Sequence, residues 1–591
     1  MKNRMLLLTV VTLGMFSIAG SQTFTDYVSA MRGDTAVVKD YSDKGNTSST
    51  LTRALALDTV SVPAGRVYML KKNGYYPLAS NPTTSATRSV VIVGEDSRRL
   101  VTNTDANSAP PVICGSTIQG AGSNTGGINY AGTLTIKNCA IIQAASDGTL
   151  GWAFIGAAAP NCHVYLENDL CERTRWVIIQ SNSAAGTSLF INDCYFVNLS
   201  GQACRRNGGV YDNVNNNTDT IWVENSTHVV AQGSMYKFRN YQIKKLFFNH
   251  NTFIDCAGSL FESLGYESDL TVTNNIFVNS NIQSFSDSLG IWDAGETDAD
   301  MLPTGLINCD TLPANYTQMA RKILVDRNVA YWDPRFDNME STLIANSVDG
   351  TTKWVSQRIT MNTRTQAMFD DNAHYPYLTE GAWYKKLPSF TDPKNLLTSE
   401  TDSVKAFALS TVDGKSTKIL SDWRLVFQGA QYYIYSDWPI PVNLAYSDAD
   451  LMAGGTGGFP VGDLNWFPTK KTQWMALKDA EHAALLNMLN TGTLTAVEDV
   501  GGVPVQFALS QNYPNPFNPS TVITFSLPHS AFASLKVFDM LGREVATLVN
   551  GYTTAGSHDV QFNATNLASG VYFYKLTSGD LVQTKKMVLV K

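Results

Sequence analysis

Charge is scarce in this chain. Asp, Glu, Lys and Arg make up only 16% of 591 residues, and the balance is acidic, at −7. No basic run interrupts it, which excludes a nucleic-acid surface of the usual cationic kind. Beyond the N-terminal stretch no apolar run approaches the ~18 residues of a membrane helix, so no membrane span is expected in the mature chain. The histidines, at 163, 228, 250, 374, 482, 529 and 558, form no HxH or HExxH, and CxxC is absent. The usual transition-metal motifs are thereby excluded. Cysteine is missing after Cys309 and tryptophan after Trp474, so composition breaks before the final segment.

What is present favours strands and turns: 44% hydrophobic residues together with abundant Asn, Ser, Thr and Gly. The opening MKNRMLLLTVVTLGMFSIAGS has a basic start, a short apolar core and small residues Ala19, Gly20 and Ser21. This is the pattern of a secretory signal over 1–21, cleaved before Gln22. Eight cysteines (114, 139, 162, 171, 194, 204, 256, 309) lie in one central region. An even count in an oxidising compartment permits disulfides, while most of the positions also suit a small apolar core residue.

A refrain runs through the middle of the chain: LTIKNCAIIQ, SLFINDCYFVNL, KLFFNHNTFIDC, LTVTNNIFVNS and KILVDRNVAYWD. Its central polar residues are Asn138, Asn168, Asp193, Asn225, His250, Asn274 and Arg327, separated by 30, 25, 32, 25, 24 and 53 residues. Four and two residues earlier stand apolar pairs such as Leu134/Ile136, Ile221/Val223 and Leu270/Val272, an alternation that predicts a strand with one buried face. Three residues later comes a second, mostly apolar column: Ile141, Cys171, Phe196, His228, Phe253, Phe277 and Ala330. His228 is read there as a core histidine. Gly201, Gly233 and Gly258 mark a further turn, and Cys204, Tyr236, Phe261 and Phe285 begin a third strand.

Three short strands per unit, repeated about every 25 residues, describe stacked coils of a solenoid. The central column is expected to form an interior amide ladder at the bend. The pattern resembles the right-handed parallel β-helix, or pectate-lyase-like, superfamily over about 134–330. The expected fold class is all-β, a right-handed parallel β-helix followed by a small C-terminal β-sandwich. Residues 22–100, with VPAGRVYMLKKNGYYPL, read as opening coils and 101–468 as the solenoid with long loops, one of them 287–320. The stretch LAYSDADLMAGGTGGFPVGDLNWFP resembles the closing segment of bacterial β-helix proteins. A helix over 469–492, capped by Thr472 and ended by Gly492, is expected as a lid near the end coil. A linker, 493–506, follows.

Residues 507–591 alternate in short strands with Gly and Asn turns, enough for a sandwich. QNYPNPFNP, DMLGREV, LASGVYFYKL and the basic Lys585–Lys586 closely resemble the type A sorting domain of the type IX secretion system. The resemblance implies a Bacteroidota-like source, Sec export, and a partnership with the type IX translocon. It also implies delivery across the outer membrane, with cargo released or kept at the cell surface.

Chemistry is harder to find. Asp293, Glu296, Asp298 and Asp300 form an acidic loop whose hard oxygens suit calcium, without EF-hand spacing; no cofactor is required by any other pattern. Of the NTD, DD, GHG and RIK patterns of β-helix polygalacturonases only Asp370–Asp371 occurs, and the RxPxxR run of pectate lyases is missing. An outward column twelve residues after the central position holds Arg205, Lys237, Glu262 and Ser286. Arg206 and Arg239 flank it, with Arg173 and Arg175 one coil below. These would make a cationic patch for an anionic glycan; the alternative is a surface ion pair of Lys237 with Glu262, of about 0–1 kcal/mol. Arg205, Lys237 and Glu262 are the catalytic candidates, and Arg173, Arg175, Arg206 and Arg239 the substrate-binding ones. The tryptophans between 330 and 475 are expected to seal long loops onto the solenoid. Two functions follow: polysaccharide binding or processing, lyase-like rather than hydrolytic if catalytic, or a non-catalytic surface adhesin or structural protein.

Overall fold

The computed structural model describes residues 22–591 outside 45–48, 59–65, 85–88, 119–121, 201–207, 287–302, 310–316, 347–353, 411–424, 429–432, 495–507, 528–530 and a few one- or two-residue gaps. The expected secretory leader 1–21, Cys204, Arg205, Arg206, Arg239 and the acidic residues Asp293, Glu296, Asp298 and Asp300 lie outside the described residues.

Three sheets wind into a parallel β-helix. The first has twelve strands, from Val28–Arg32 to Leu378–Glu380; the second has eleven and the third six. One coil shows the order: Thr218–Glu224 in the first sheet, Thr227–Ala231 in the second, Tyr236–Phe238 in the third. The chain then re-enters the first sheet at Gln242–Asn249, with Ile221 beside Leu246 and Val223 beside Phe248. Among the residues whose side chains are described, the apolar inward columns read from the sequence are buried together in one core. Within it Phe196, His228, Phe253 and Phe277 stack along the axis at 4.7, 4.3 and 5.3 Å between centroids. Burial holds the His228 imidazole neutral, its pKa pushed down to about 3, as a core histidine requires.

The refrain's central residue is an instruction for a bend. All seven have left-handed backbone, with φ from 50° at Asn225 to 60° at Asp193. Asn and Asp tolerate this region better than other side chains, which explains their recurrence. Five residues later a second left-handed column runs through Arg173, Asn198, Val230, Asp255 and Asn279. The first column turns the chain before each short second-sheet strand, and the second falls at the penultimate residue of the strands Tyr195–Leu199, Thr227–Ala231, Thr252–Cys256 and Ile276–Ser280.

The continuous interior ladder sits one residue beyond the expected column. Cys139 N–H donates to Asp169 at 2.8 Å, Cys194 N–H to Ser226 Oγ at 3.1 Å and Ser226 N–H to Asn251 Oδ1 at 3.0 Å. Asn251 N–H then donates to Asn275 Oδ1, and Asn275 N–H to Asn328 Oδ1, each at 2.9 Å. A left-handed residue swings its own side chain off the axis and aims its successor inward, so the ladder moves by one.

The long helix spans Pro468–Thr491, begun by proline at its first position and ended by Gly492 with φ 63°. Thr472 lies inside it, its hydroxyl bonded back to the Pro468 carbonyl. Instead of closing an end, the helix lies lengthwise over the first sheet. Leu485, Met488 and Leu489 pack on Phe247 and Leu324 from its outer face. The preceding closing segment runs back along the bend: Gly462 N–H donates to the Asn274 carbonyl, Asp463 N–H to Thr252, and Trp466 Nε1 to Thr227. A Cβ at Gly462 would lie 2.6 Å from Ile276 Cδ1, so only glycine allows this approach. The helix Thr401–Leu409 and residues 438–467 cover the second sheet's outer face.

The final segment folds as two antiparallel sheets, of three and four strands, around a separate core that includes Ile523, Phe525, Leu535, Tyr574 and Met587.

Candidate functional site on the third sheet

Along the third sheet, Ile179, Tyr211, Tyr236 and Phe261 face the core. Their successors Gln180, Asp212, Lys237 and Glu262 stand in consecutive parallel register on the other face. Lys237 is only 1% exposed and Asp212 is fully buried. Trp176 Nε1 donates to Asp212 Oδ2 at 2.9 Å, and Val214 N–H donates to Oδ1 at 3.1 Å. Trp152 and Trp176 each directly precede strands paired as Ala153 with Val177, so they occupy equal places on successive coils. Trp152 is 45% exposed, and the Arg175 guanidinium lies 4.6 Å from its ring centroid.

The structure therefore unites part of the predicted patch. Lys237 and Glu262 are register partners, but Lys237 is buried rather than displayed on the surface. Removing an ammonium from water costs several kcal/mol unless anions accompany it, and Asp212 is the described acidic residue beside it in register. Arg205 does not occupy the Lys237 column; Asp212 does. The coil beginning at Asp193 is 32 residues long, and its extra residues precede the strand Gly209–Asp212, so a uniform offset of twelve falls short of the column. Arg173 is buried at the second bend, away from any exposed cationic surface. Arg175 reaches the surface through Trp152. For Glu262 the strand position is described but the side chain is not. Asp371 pairs with His374 at 2.7 Å on an exposed turn.

Asp212, Trp152 and Trp176 escaped the sequence reading. The signal that could have found them is a tryptophan recurring 24 residues apart, one coil length, beside Arg175.

A second polar cluster lies under the long helix. Buried Glu481 accepts from Asn249 Nδ2 at 2.8 Å and from Trp474 Nε1 at 2.7 Å, and sits 3.1 Å from His250 Nε2. His482 Nε2 lies 2.8 Å from Glu224, which also accepts from Asn249 Nδ2 at 2.8 Å. Lys471 reaches Asp193 at 2.8 Å. These groups are consumed in fixing the helix to the coils.

Among the described residues no group of three His, Cys, Asp or Glu side chains is placed to hold a metal ion. The seven described cysteines are buried thiols; desolvation pushes Cys114 up to about 12. No helix among the described residues is long and apolar enough to cross a membrane. The loop tryptophans serve as seals: Trp332 Nε1 donates to the Ser280 carbonyl and Trp438 Nε1 to that of Asp105.

In class, the chain is a parallel β-helix joined to an antiparallel sandwich that carries an address. Residues 511–591 match the family described as "Secretion system C-terminal sorting domain". The chain is thus exported by the type IX system to the cell surface or extracellular space, and its last segment interacts with that system. No curated protein matches the chain. A matching solved structure is PorZ, an essential bacterial surface component of the type IX secretion system of Porphyromonas gingivalis, at 24% identity and a TM-score of 0.11. The match covers 17% of this chain and 13% of PorZ.

Proposed function

We propose that the exported β-helix binds polysaccharide on the outer face of its third sheet. The observation that supports this most directly is the exposed Trp152 ring under the Arg175 guanidinium, next to Trp176 anchored on Asp212. Indole faces accept the apolar faces of sugar rings, and a guanidinium donates to hydroxyl and carboxylate oxygens. The coils that carry Trp152 and Trp176 stack along the axis, the direction in which a linear polymer would lie. Binding is favoured over processing by the burial of Lys237: at 1% exposure its amine is closed off from a polymer lying on the surface and is badly placed to act as the base of a lyase.

The test is retention of the full exported chain on immobilised neutral and acidic polysaccharides, with Trp152→Ala and Arg175→Ala beside it. Each substitution is expected to weaken binding about tenfold, the scale of one cation–π or stacking contact. Unchanged retention in both variants, or no retention of any polymer by the parent, would overturn the proposal. Ultraviolet-absorbing unsaturated products would instead establish processing.

A further inference from the structure

In the sorting domain the hairpin of Ala531–Phe538 and Glu544–Thr553 ends in a turn built with unusual care. The Asp539 carboxylate accepts from Leu541 N–H at 2.9 Å, from Arg543 N–H at 3.0 Å and from Arg543 Nε at 2.7 Å. Asp539 and Arg543 also pair through backbone at 3.0 Å, and Gly542 supplies φ 77°. Lys536 and Glu544 bridge the base of the turn at 2.8 Å. The Met540 side chain and the Leu541 side chain take no part in this frame, to which Leu541 lends only its backbone N–H.

What the frame holds up is apolar. Met540 is 69% exposed and Leu541 78%, and neither belongs to the sandwich core. Any polar pair would serve the turn equally and be better solvated, because turns ordinarily carry polar residues. Register places a third apolar group at the same end. Phe538 pairs with Phe573 and Gly570 with Leu589, which brings the half-exposed Val590 to the tip end of the four-stranded sheet.

We infer that Met540 and Leu541 are the knob by which the sorting domain docks into an apolar pocket on a protein component of the type IX machinery, with Val590 extending the contact. The partner follows from the sorting-domain match, on which this inference rests. Two adjacent large side chains on a pre-ordered turn lose little conformational freedom on binding, which is what an interaction anchor needs.

The experiment follows delivery of the full chain in a bacterium with a type IX apparatus, by fractionating periplasm from cell surface and medium. Four forms are compared: the parent, Met540→Ser with Leu541→Ser, a control pair Leu581→Ser with Val582→Ser at the opposite end of the sandwich, and a deletion of 511–591. The tip variant and the deletion are expected in the periplasm, with external protein reduced about tenfold or more, and the control pair outside. A tip variant delivered like the parent, with the deletion retained, overturns the knob but leaves the sorting reading intact. Retention of both serine pairs overturns the assignment to this end. Delivery of the deletion overturns the sorting reading itself. Because substitution can disturb folding, a photo-reactive side chain at position 541 provides a second measure. A crosslink to an identified type IX component supports the knob, and a crosslink only to other proteins, or none, overturns it.

Discussion

Asn275 shows how one side chain serves three coils. Its Oδ1 accepts the backbone N–H of Asn251 at 2.9 Å, and its Nδ2 donates to the Phe248 carbonyl and to Asn328 Oδ1, both at 3.0 Å. Truncating it to alanine leaves a buried N–H and a buried carbonyl without partners, each worth about 1–3 kcal/mol. Asn275→Ala should therefore lose about 2–5 kcal/mol in denaturant unfolding of the full chain. Asn138→Gly keeps the left-handed bend and should lose less than about 1.5 kcal/mol, because glycine accepts positive φ without strain and one amide bond is lost. Equal losses at the two positions would contradict the separation of bend column from ladder column. That separation is only half legible in the sequence. The spacing exposes both asparagines of the Asn274–Asn275 pair, but which one points inward depends on handed backbone torsion, which a periodic pattern does not carry.

The closing segment and long helix form a strap across coils that are distant in sequence. Pro468 opens the helix one turn before the expected cap, Thr472, while its C-terminal end, closed by Gly492, and its apolar face were readable. Its resting place was not, because Phe247 and Leu324 are outward residues whose apolar character looks unremarkable one coil at a time. The strap's charged contacts predict a pH profile. Burial alone would lower the pKa of His482, but the bond to Glu224 and its charge outweigh that and raise it. Burial would raise Glu224, yet His482 brings it below its usual value. Lys478, Asn249 and Glu481 also face the pair, as do the Trp222 and Phe247 rings. A raised histidine contributes stability below its unfolded pKa of ~6.5, lost as pH rises through the folded value. A depressed glutamate contributes above ~4.3, lost as pH falls through its folded value. The pair is thus most stabilising between those limits. His482→Gln should cost about 1–2 kcal/mol near pH 6 and progressively less in alkaline buffer. Thermal midpoints of parent and variant across pH 5–9 (roughly the histidine range) should converge at the upper end. Parallel curves would show that the ion pair does not anchor the helix.

At the scale of the whole molecule, architecture and destination were the most legible features, because both are written as repeated or contiguous words. A solenoid restates its packing problem in every coil, and the sorting domain occupies one unbroken stretch. The candidate site was partly hidden for the converse reason: it assembles from one residue per coil, and the longer spacing after Asp193 puts Asp212, not Arg205, in the column. The same architecture predicts how the molecule comes apart. The core around Ile523, Leu535 and Met587 shares no residue with the two solenoid cores, so the segments draw their hydrophobic stabilisation from separate sources. Site-specific cleavage within 495–507 should leave the thermal midpoint of the β-helix within about 2 °C of its value in the intact chain. Calorimetry of the intact chain should resolve two transitions, with the smaller enthalpy belonging to the sandwich, since unfolding enthalpy scales with residues ordered. The helix should behave differently. Cleavage placed before Pro468 would remove Lys471, Glu481 and His482 from Asp193, Asn249 and Glu224, uncovering Phe247 and Leu324 as well, and should lower the solenoid's own midpoint. If both cuts were equally harmless, the strap would be ornamental to the coils it crosses; if both were damaging, the sandwich would have to be counted as part of the β-helix fold.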